Sequence, residues 1–309
     1  MKIPNGGVAF FDSGIGGLTV LAECEKRING EYFYYYGDNG HAPYGNLTAQ
    51  EIEKLVFRVF NRFERLKVKA AVVACNTVTA TCIERLRQRY AFPIIGAEPA
   101  VFSAAKGGGR VLVLTTKATF DSERFHCLVE RAAKCYPQAE ILPVACPQLA
   151  GAIEKHLTDT QFDFSQLLPN VKADAVVLGC THYIYIVETV RNFYGCKVYD
   201  GNEGIVNRLR AVLGLKNAGG GCEVNSTQKT EPKSVFLSKN VAPVTTENHK
   251  QIFAPFCFDF NVKKTPKLPR NEKNQKTFFL GKYKGFNAKI HERMFVFKQN
   301  GCGSAKSGF

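Results

Sequence analysis

The sequence predicts an α/β protein made of two similar doubly wound domains with parallel sheets, and it places the chemistry at the seam between them. Two observations carry this. Along residues 1–222, short apolar runs of strand length alternate with amphipathic stretches of helical period, the pattern of parallel strands joined by crossover helices. Within that alternation one unit occurs twice. Ala70-Ala71-Val72-Val73-Ala74-Cys75-Asn76-Thr77 and Asp174-Ala175-Val176-Val177-Leu178-Gly179-Cys180-Thr181-His182 each bring an apolar strand to a cysteine and then into a helical pattern. Both sulfurs then sit at a strand's carboxyl end and a helix's amino end, where parallel sheets expose their chemistry. Partial positive charge and free N–H groups there favour a thiolate and bind a carboxylate.

In chain order, strands are predicted at 8–11, 32–36, 70–74, 93–96, 110–114, 140–144, 174–178 and 197–199. The clearest helix is 49–66, where Ile52, Leu55, Val56, Val59, Phe60 and Phe63 recur at helical spacing; another is predicted at 79–90. Because the strand–cysteine–helix unit recurs after residues 97–100, the boundary falls there. The reading is a first domain over 1–97, a second over 98–205, a return to the first over 206–222, and a separate segment over 223–309.

A chain of 309 residues with 45% hydrophobic content suffices for two ordinary domains with substantial cores. The amino terminus runs straight into a strand, with neither a charged leader nor a long apolar stretch, so neither secretion nor a membrane span is expected. Eleven cysteines with no C-x-x-C spacing read as reduced thiols in a cytoplasm. The net charge of +14 is unevenly spread: residues 223–309 carry 16 Lys and Arg against 6 Asp and Glu, whereas residues 1–222 carry 25 against 21. Any affinity for nucleic acid therefore belongs to the last quarter of the chain.

Two further segments have more chemistry than a connector needs. The first strand ends in Asp12-Ser13-Gly14-Ile15-Gly16-Gly17, whose glycines let backbone approach a ligand ahead of a helix amino terminus. It lacks the G-x-G-x-x-G spacing of a dinucleotide site, and Asp12 reads equally as a helix cap. The loop Tyr36-Gly37-Asp38-Asn39-Gly40-His41-Ala42-Pro43-Tyr44-Gly45-Asn46 combines turn residues with Tyr, His and Asp, and a structural turn is its competing reading.

Taken in order, Asp12-Ser13-Gly14-Ile15-Gly16-Gly17, Tyr36-Gly37-Asp38, Pro43-Tyr44-Gly45, Ala74-Cys75-Asn76-Thr77 and Gly179-Cys180-Thr181-His182 resemble the bacterial glutamate racemases, members of the cofactor-independent aspartate/glutamate racemase family. Weaker matches are Ile95-Gly96-Ala97-Glu98-Pro99-Ala100, Thr115-Thr116-Lys117-Ala118-Thr119, Cys146-Pro147 with Glu154 beyond it, and Asp200-Gly201. The resemblance runs from residue 8 to about 215.

It implies interconversion of L- and D-glutamate without a cofactor, by proton transfer between two cysteines on opposite faces of the α-carbon. Carried over position by position, Cys75 and Cys180 are the two bases, Asp12 assists Cys75, His182 assists Cys180, and Glu154 orients or balances His182. Ser13, Tyr44, Gly45, Asn76, Thr77 and Thr181 match substrate contacts, together with Asp12 and His182. A cysteine suits such a role because its ordinary pKa of about 8.5 can fall toward roughly 4 to 7 beside helix termini and polar partners. The resemblance further implies D-glutamate for peptidoglycan, a cytoplasmic location and a homodimer. No cofactor and no metal are expected; a zinc site from Cys75, Cys180 and His182 fits no structural zinc spacing. A lone strand-end cysteine is usually a small packing residue, and Cys24, Cys82, Cys127, Cys135, Cys196 and Cys222 are read that way.

Beyond Cys222 the chain departs from the family pattern. Apolar clusters at 234–237, 252–260 and 277–280 are separated by Lys, Asn, Pro and Thr, and eleven of the 24 phenylalanines lie here. The segment reads as a divergent or added module, as a shifted reading frame, or as a basic binding segment. Lys263, Lys264, Lys267, Arg270, Lys273 and Lys276, interleaved with Phe278, Phe279, Tyr283 and Phe286, have the composition that binds single-stranded nucleic acid. Two alternative functions follow: a racemase for another acidic amino acid, or an inactive relative with a nucleic-acid-binding tail.

Overall fold

The computed structural model describes residues 6–157, 159–215, 233–241, 277–283 and 293–297. In chain order the first half contains β1 (Val8–Asp12), α1 (Leu18–Arg27), β2 (Tyr32–Gly37), a 3₁₀ turn (Tyr44–Asn46), α2 (Ala49–Arg65), β3 (Ala70–Val73), α3 (Asn76–Arg89) and β4 (Ile94–Gly96). The second contains α4 (Val101–Ala105), β5 (Gly109–Thr115), α5 (Lys117–Phe120), α6 (Glu123–Cys135), β6 (Ala139–Ala145), α7 (Leu149–His156), a 3₁₀ turn (Phe164–Leu167), β7 (Ala175–Gly179), a 3₁₀ turn (Thr181–Ile186), α8 (Val187–Tyr194) and β8 (Lys197–Tyr199). Then follow α9 (Asn202–Val212), β9 (Lys233–Val241), β10 (Thr277–Tyr283) and β11 (Arg293–Phe297).

Two sheets result, ordered β11-β10-β9-β2-β1-β3-β4 and β6-β5-β7-β8. All pairings are parallel except β10 with β11. The strands at the sheet centres are apolar throughout because helices cover both faces, as parallel sheets require. One face of the first sheet packs on α2 and α3 through Phe11, Tyr34, Val73, Ile52, Phe60 and Ile83. Its other face packs on α1 and α9 through Phe10, Val72, Leu21, Val206 and Leu209, so α9 closes the first sheet's core after the chain has built the second sheet. The second sheet has its own two cores, centred on Leu114 and Leu178 on one face and Val113 and Val177 on the other.

The starts of the helices follow local chemistry. Thr48 and Glu51 form a reciprocal capping box at α2, whose apolar stripe of Ile52, Val56, Val59, Phe60 and Phe63 is buried. Thr48→Ala removes one half of that box and is expected to cost about 1 kcal/mol of unfolding free energy in a denaturant titration, without changing the fold. Helix α3 begins at Asn76, three residues before the predicted 79, because Cys75 itself occupies the N-cap position.

The C-terminal apolar clusters at 234–237 and 277–280 lie within strands β9 and β10, where β9 extends the first sheet alongside β2, Tyr32 opposite Lys233. The cluster at 252–260 lies outside the described residues, as do Lys263, Lys264, Lys267, Arg270, Lys273, Lys276 and Phe286. Among the described residues no helix is long and apolar enough to cross a membrane.

Candidate active site

From β1 the chain goes to β2 on one side and β3 on the other; from β5 it goes to β6 on one side and β7 on the other. The carboxyl ends of β1 and β3, and of β5 and β7, are therefore switch points, where open parallel sheets form ligand crevices. Asp12 and Cys75 stand at the first, Thr115, Thr116 and Cys180 at the second. Two surface clefts lie away from these points. One of about 840 Å³ opens at the amino end of the second sheet, beside Arg110, Asp174 and Phe193.

Cys75 is 4% exposed and Cys180 7%. Ser13 Oγ lies 3.4 Å from Cys75 Sγ, and His182 Nδ1 lies 3.8 Å from Cys180 Sγ. Each sulfur thus has a polar partner of its own. Asp12, fully buried, is not the hydrogen-bonding neighbour of Cys75. Its Oδ1 accepts from the Gly14 N–H at 2.8 Å, and its Oδ2 accepts from the Thr181 hydroxyl at 3.2 Å, across from the second half. Its influence on Cys75 is electrostatic.

Burial reverses the direction expected for the thiol. Burial pushes Cys75 up to about 12, and the nearby Asp12 carboxylate adds to the rise; the Ser13 hydroxyl and the Val78 N–H pull back only part of it. The Val78 N–H at the amino end of α3 thus lowers this thiol by less than burial raises it. Asp12 is itself raised, burial outweighing the nearby His182 charge and the Gly14 N–H.

His182 and Glu154 form the site's charged pair, with Nε2 and Oε1 2.5 Å apart. Burial disfavours the imidazolium, but Glu154 and the Cys180 sulfur outweigh it and hold His182 well above its ordinary value. Burial likewise raises Glu154, and the His182 charge with the Ile15 N–H more than reverses it. The 12–17 turn lies against the pair with no room for a side chain: a Cβ at Gly14 would fall 3.1 Å from His182 Nε2 and 3.2 Å from Glu154 Cδ.

The remaining predicted residues line the same region. The Tyr44 hydroxyl donates to Asp38 Oδ2 at 2.6 Å, and the same oxygen lies 2.9 Å from His41 Nδ1, which fixes the 38–46 loop. Burial, then Asp38, pushes Tyr44 upward, keeping it a donor. A Cβ at Gly45 would sit 2.9 Å from Thr116 Cβ, so the loop lies directly against the second half. Asn76 Nδ2 donates to the Ala97 carbonyl at 3.3 Å, and the Thr77 and Thr116 hydroxyls are 3.0 Å apart. Thr116 is a site residue that sequence reasoning missed; its signal was present in Thr115-Thr116-Lys117-Ala118-Thr119, where Thr116 caps α5.

Two local expectations differ. Cys180 leads into a 3₁₀ turn, and α8 begins only at Val187. Thr181, Tyr183, Ile184, Tyr185 and Ile186 are poor helix formers, and the tighter winding aligns side chains three apart. Of the cysteines read as packing residues, Cys24 and Cys82 are buried, but Cys127 and Cys135 on α6 are exposed. Cys222 lies outside the described residues.

Comparison with known proteins bears on this arrangement. A glutamate racemase of Clostridium botulinum (strain Loch Maree / Type A3) is 36% identical over 228 residues, covering 70% of this chain and 87% of that protein. One of Clostridium perfringens (strain ATCC 13124) is 37% identical over 226 residues, covering 70% and 86%. Among solved structures, Escherichia coli glutamate racemase in complex with L-glutamate and an activator superposes with a TM-score of 0.65 at 25% identity, covering 82% of this chain and 96% of that one. A Bacillus anthracis glutamate racemase isoform gives 0.63 at 25% identity, covering 81% and 93%. The Asp/Glu/Hydantoin racemase model matches residues 33–209, a span that holds both strand-end cysteines, and by these likenesses the chain belongs to that racemase family.

Proposed function

We propose that this protein interconverts L- and D-glutamate by cofactor-independent proton transfer between Cys75 and Cys180. The observation that carries the reading is the pair of buried cysteines, one at the switch point of each sheet, each with its own polar partner. Inverting an α-carbon requires taking its proton from one face and supplying another to the opposite face. In one direction a thiolate on one side takes the α-proton and becomes a thiol, while the thiol opposite gives its proton to the carbanion and becomes a thiolate. The reverse direction exchanges the roles.

The surrounding groups fit the stages of that transfer. His182, kept protonated by Glu154, holds positive charge beside the Cys180 sulfur, 3.8 Å from its Nδ1. The amino end of α3, with Asn76 and Thr77, suits a substrate carboxylate; Ser13, Tyr44, Thr116 and Thr181 offer hydroxyls, and Gly45 offers close backbone approach. Asp12, through its carboxylate, suits the substrate ammonium, whose charge offsets the repulsion between Asp12 and a Cys75 thiolate. With both sulfurs under 10% exposed, the halves part to admit glutamate and close to exclude water. The product reading is D-glutamate for peptidoglycan, made in the cytoplasm by a homodimer.

The test is cofactor-free incubation of the full-length protein with L-glutamate in D₂O. Loss of optical rotation together with α-deuterium incorporation is the expected result. No change in either, from protein shown to be folded, would refute the assignment.

A further inference from the structure

Ile15 belongs to the turn between β1 and α1, yet both polar atoms of its backbone are held by side chains of the second half. Its N–H donates to Glu154 Oε1 at 3.3 Å, and its carbonyl accepts from the Tyr185 hydroxyl at 2.8 Å as well as from the Leu18 N–H of its own half at 3.1 Å. The preceding carbonyl, of Gly14, accepts instead from Tyr35 of β2 at 2.8 Å. Adjacent carbonyls of one turn are thus gripped from opposite sides of the seam. Glu154 has a part in the chemistry already described; Tyr185 has none.

We propose that Tyr185 is a positioning residue whose hydroxyl clasps the Ile15 carbonyl and fixes the 12–17 turn of one half against the Cys180-bearing turn of the other. In the 3₁₀ winding of Thr181–Ile186, Tyr185 stands three residues after His182 and is eclipsed with it, so both face the 12–17 turn. That turn carries Ser13, the neighbour of Cys75, and Asp12, the acceptor of Thr181. The Tyr185 hydrogen bond, beside that of Thr181 with Asp12, therefore joins the segments that carry the partners of both sulfurs, and it exists only when the halves are together. Tyr183 makes the useful contrast. Its hydroxyl donates to the carbonyls of Thr115 and Cys146, both in the second half, so it braces one half and spans no seam.

The kinetic consequence rests on the racemase reading. Weakening closure by one neutral hydrogen bond corresponds to about a five-fold change in its equilibrium. Tyr185→Phe in the full chain is expected to raise KM for L-glutamate about five-fold while kcat stays within about two-fold, whereas Tyr183→Phe leaves KM unchanged. Amide hydrogen exchange supplies a readout free of catalysis: in the segment 12–18 it is expected to quicken about five-fold in Tyr185→Phe and not in Tyr183→Phe. Unchanged exchange in Tyr185→Phe, equal quickening in both variants, or quickened exchange with KM unmoved would each overturn the clasp. Quickened exchange confined to Tyr185→Phe, in a protein whose wild type does not racemise glutamate, would uphold the clasp and refute the racemase reading.

Discussion

Replacing Cys75 or Cys180 by alanine is expected to abolish racemisation while leaving a folded protein that still exchanges the α-proton of one enantiomer. A single sulfur can remove a proton from its own face and return it there, but it cannot reach the opposite face. Loss of one positioned acid or base costs on the order of 10² to 10⁴ in rate, and because inversion needs both, neither variant retains a bypass. The two variants should exchange opposite enantiomers. Following L- and D-glutamate separately in D₂O, by polarimetry and by the α-proton NMR signal, reads both properties at once. Racemisation at the wild-type rate by both variants would refute the two-cysteine mechanism.

The state of Cys75 sharpens that expectation. With its thiol pushed up to about 12, Cys75 stands as the thiol at neutral pH. Burial is the first cause and the Asp12 carboxylate the second, and each has a natural reversal. Opening rehydrates the sulfur, and the substrate ammonium answers Asp12. On the racemase reading proposed above, ionisation of Cys75 belongs to the substrate-bound cycle, in keeping with a sulfur that is 4% exposed.

Much of this arrangement was legible in the sequence, for reasons of pattern. Apolar strands buried on both faces and amphipathic helices leave strong signals, so the first eight strands lie within one residue or so of their predicted positions. The duplicated strand–cysteine unit also located both switch points, because the carboxyl end of a parallel strand is a fixed place in the fold. What escaped was set by contact. Thr116 becomes a site residue only because the seam brings it to Thr77, 39 positions away. The upward shift of Cys75 depends on a desolvation that no local motif encodes. The 3₁₀ turn after Cys180 is held by tertiary bonds from Tyr183 and Tyr185. In the C-terminal segment the apolar clusters gave no period, since strands β9 and β10 pair with distant partners and their register is set by the sheet they join.

The Glu154–His182 pair gives the second large effect. His182→Asn removes the positive charge beside Cys180 and is expected to lower kcat/KM on the order of 10²-fold. Glu154→Gln keeps the imidazole but removes the carboxylate that, against burial, holds it protonated. With that cause gone His182 loses its proton at lower pH, and the alkaline limb of kcat/KM moves to lower pH. Stability follows the same logic. A raised histidine contributes fully below its ordinary 6.5 and loses that contribution as pH rises through its folded value; a lowered glutamate contributes fully above its ordinary 4.5 and loses it as pH falls through its folded value. The pair therefore stabilises the fold most between those two ordinary values. Thermal unfolding of wild type and Glu154→Gln should differ most in that window and converge above it. An alkaline limb that stays in place in Glu154→Gln would mean that Glu154 does not set the charge of His182, and that the proton beside Cys180 is held by another group.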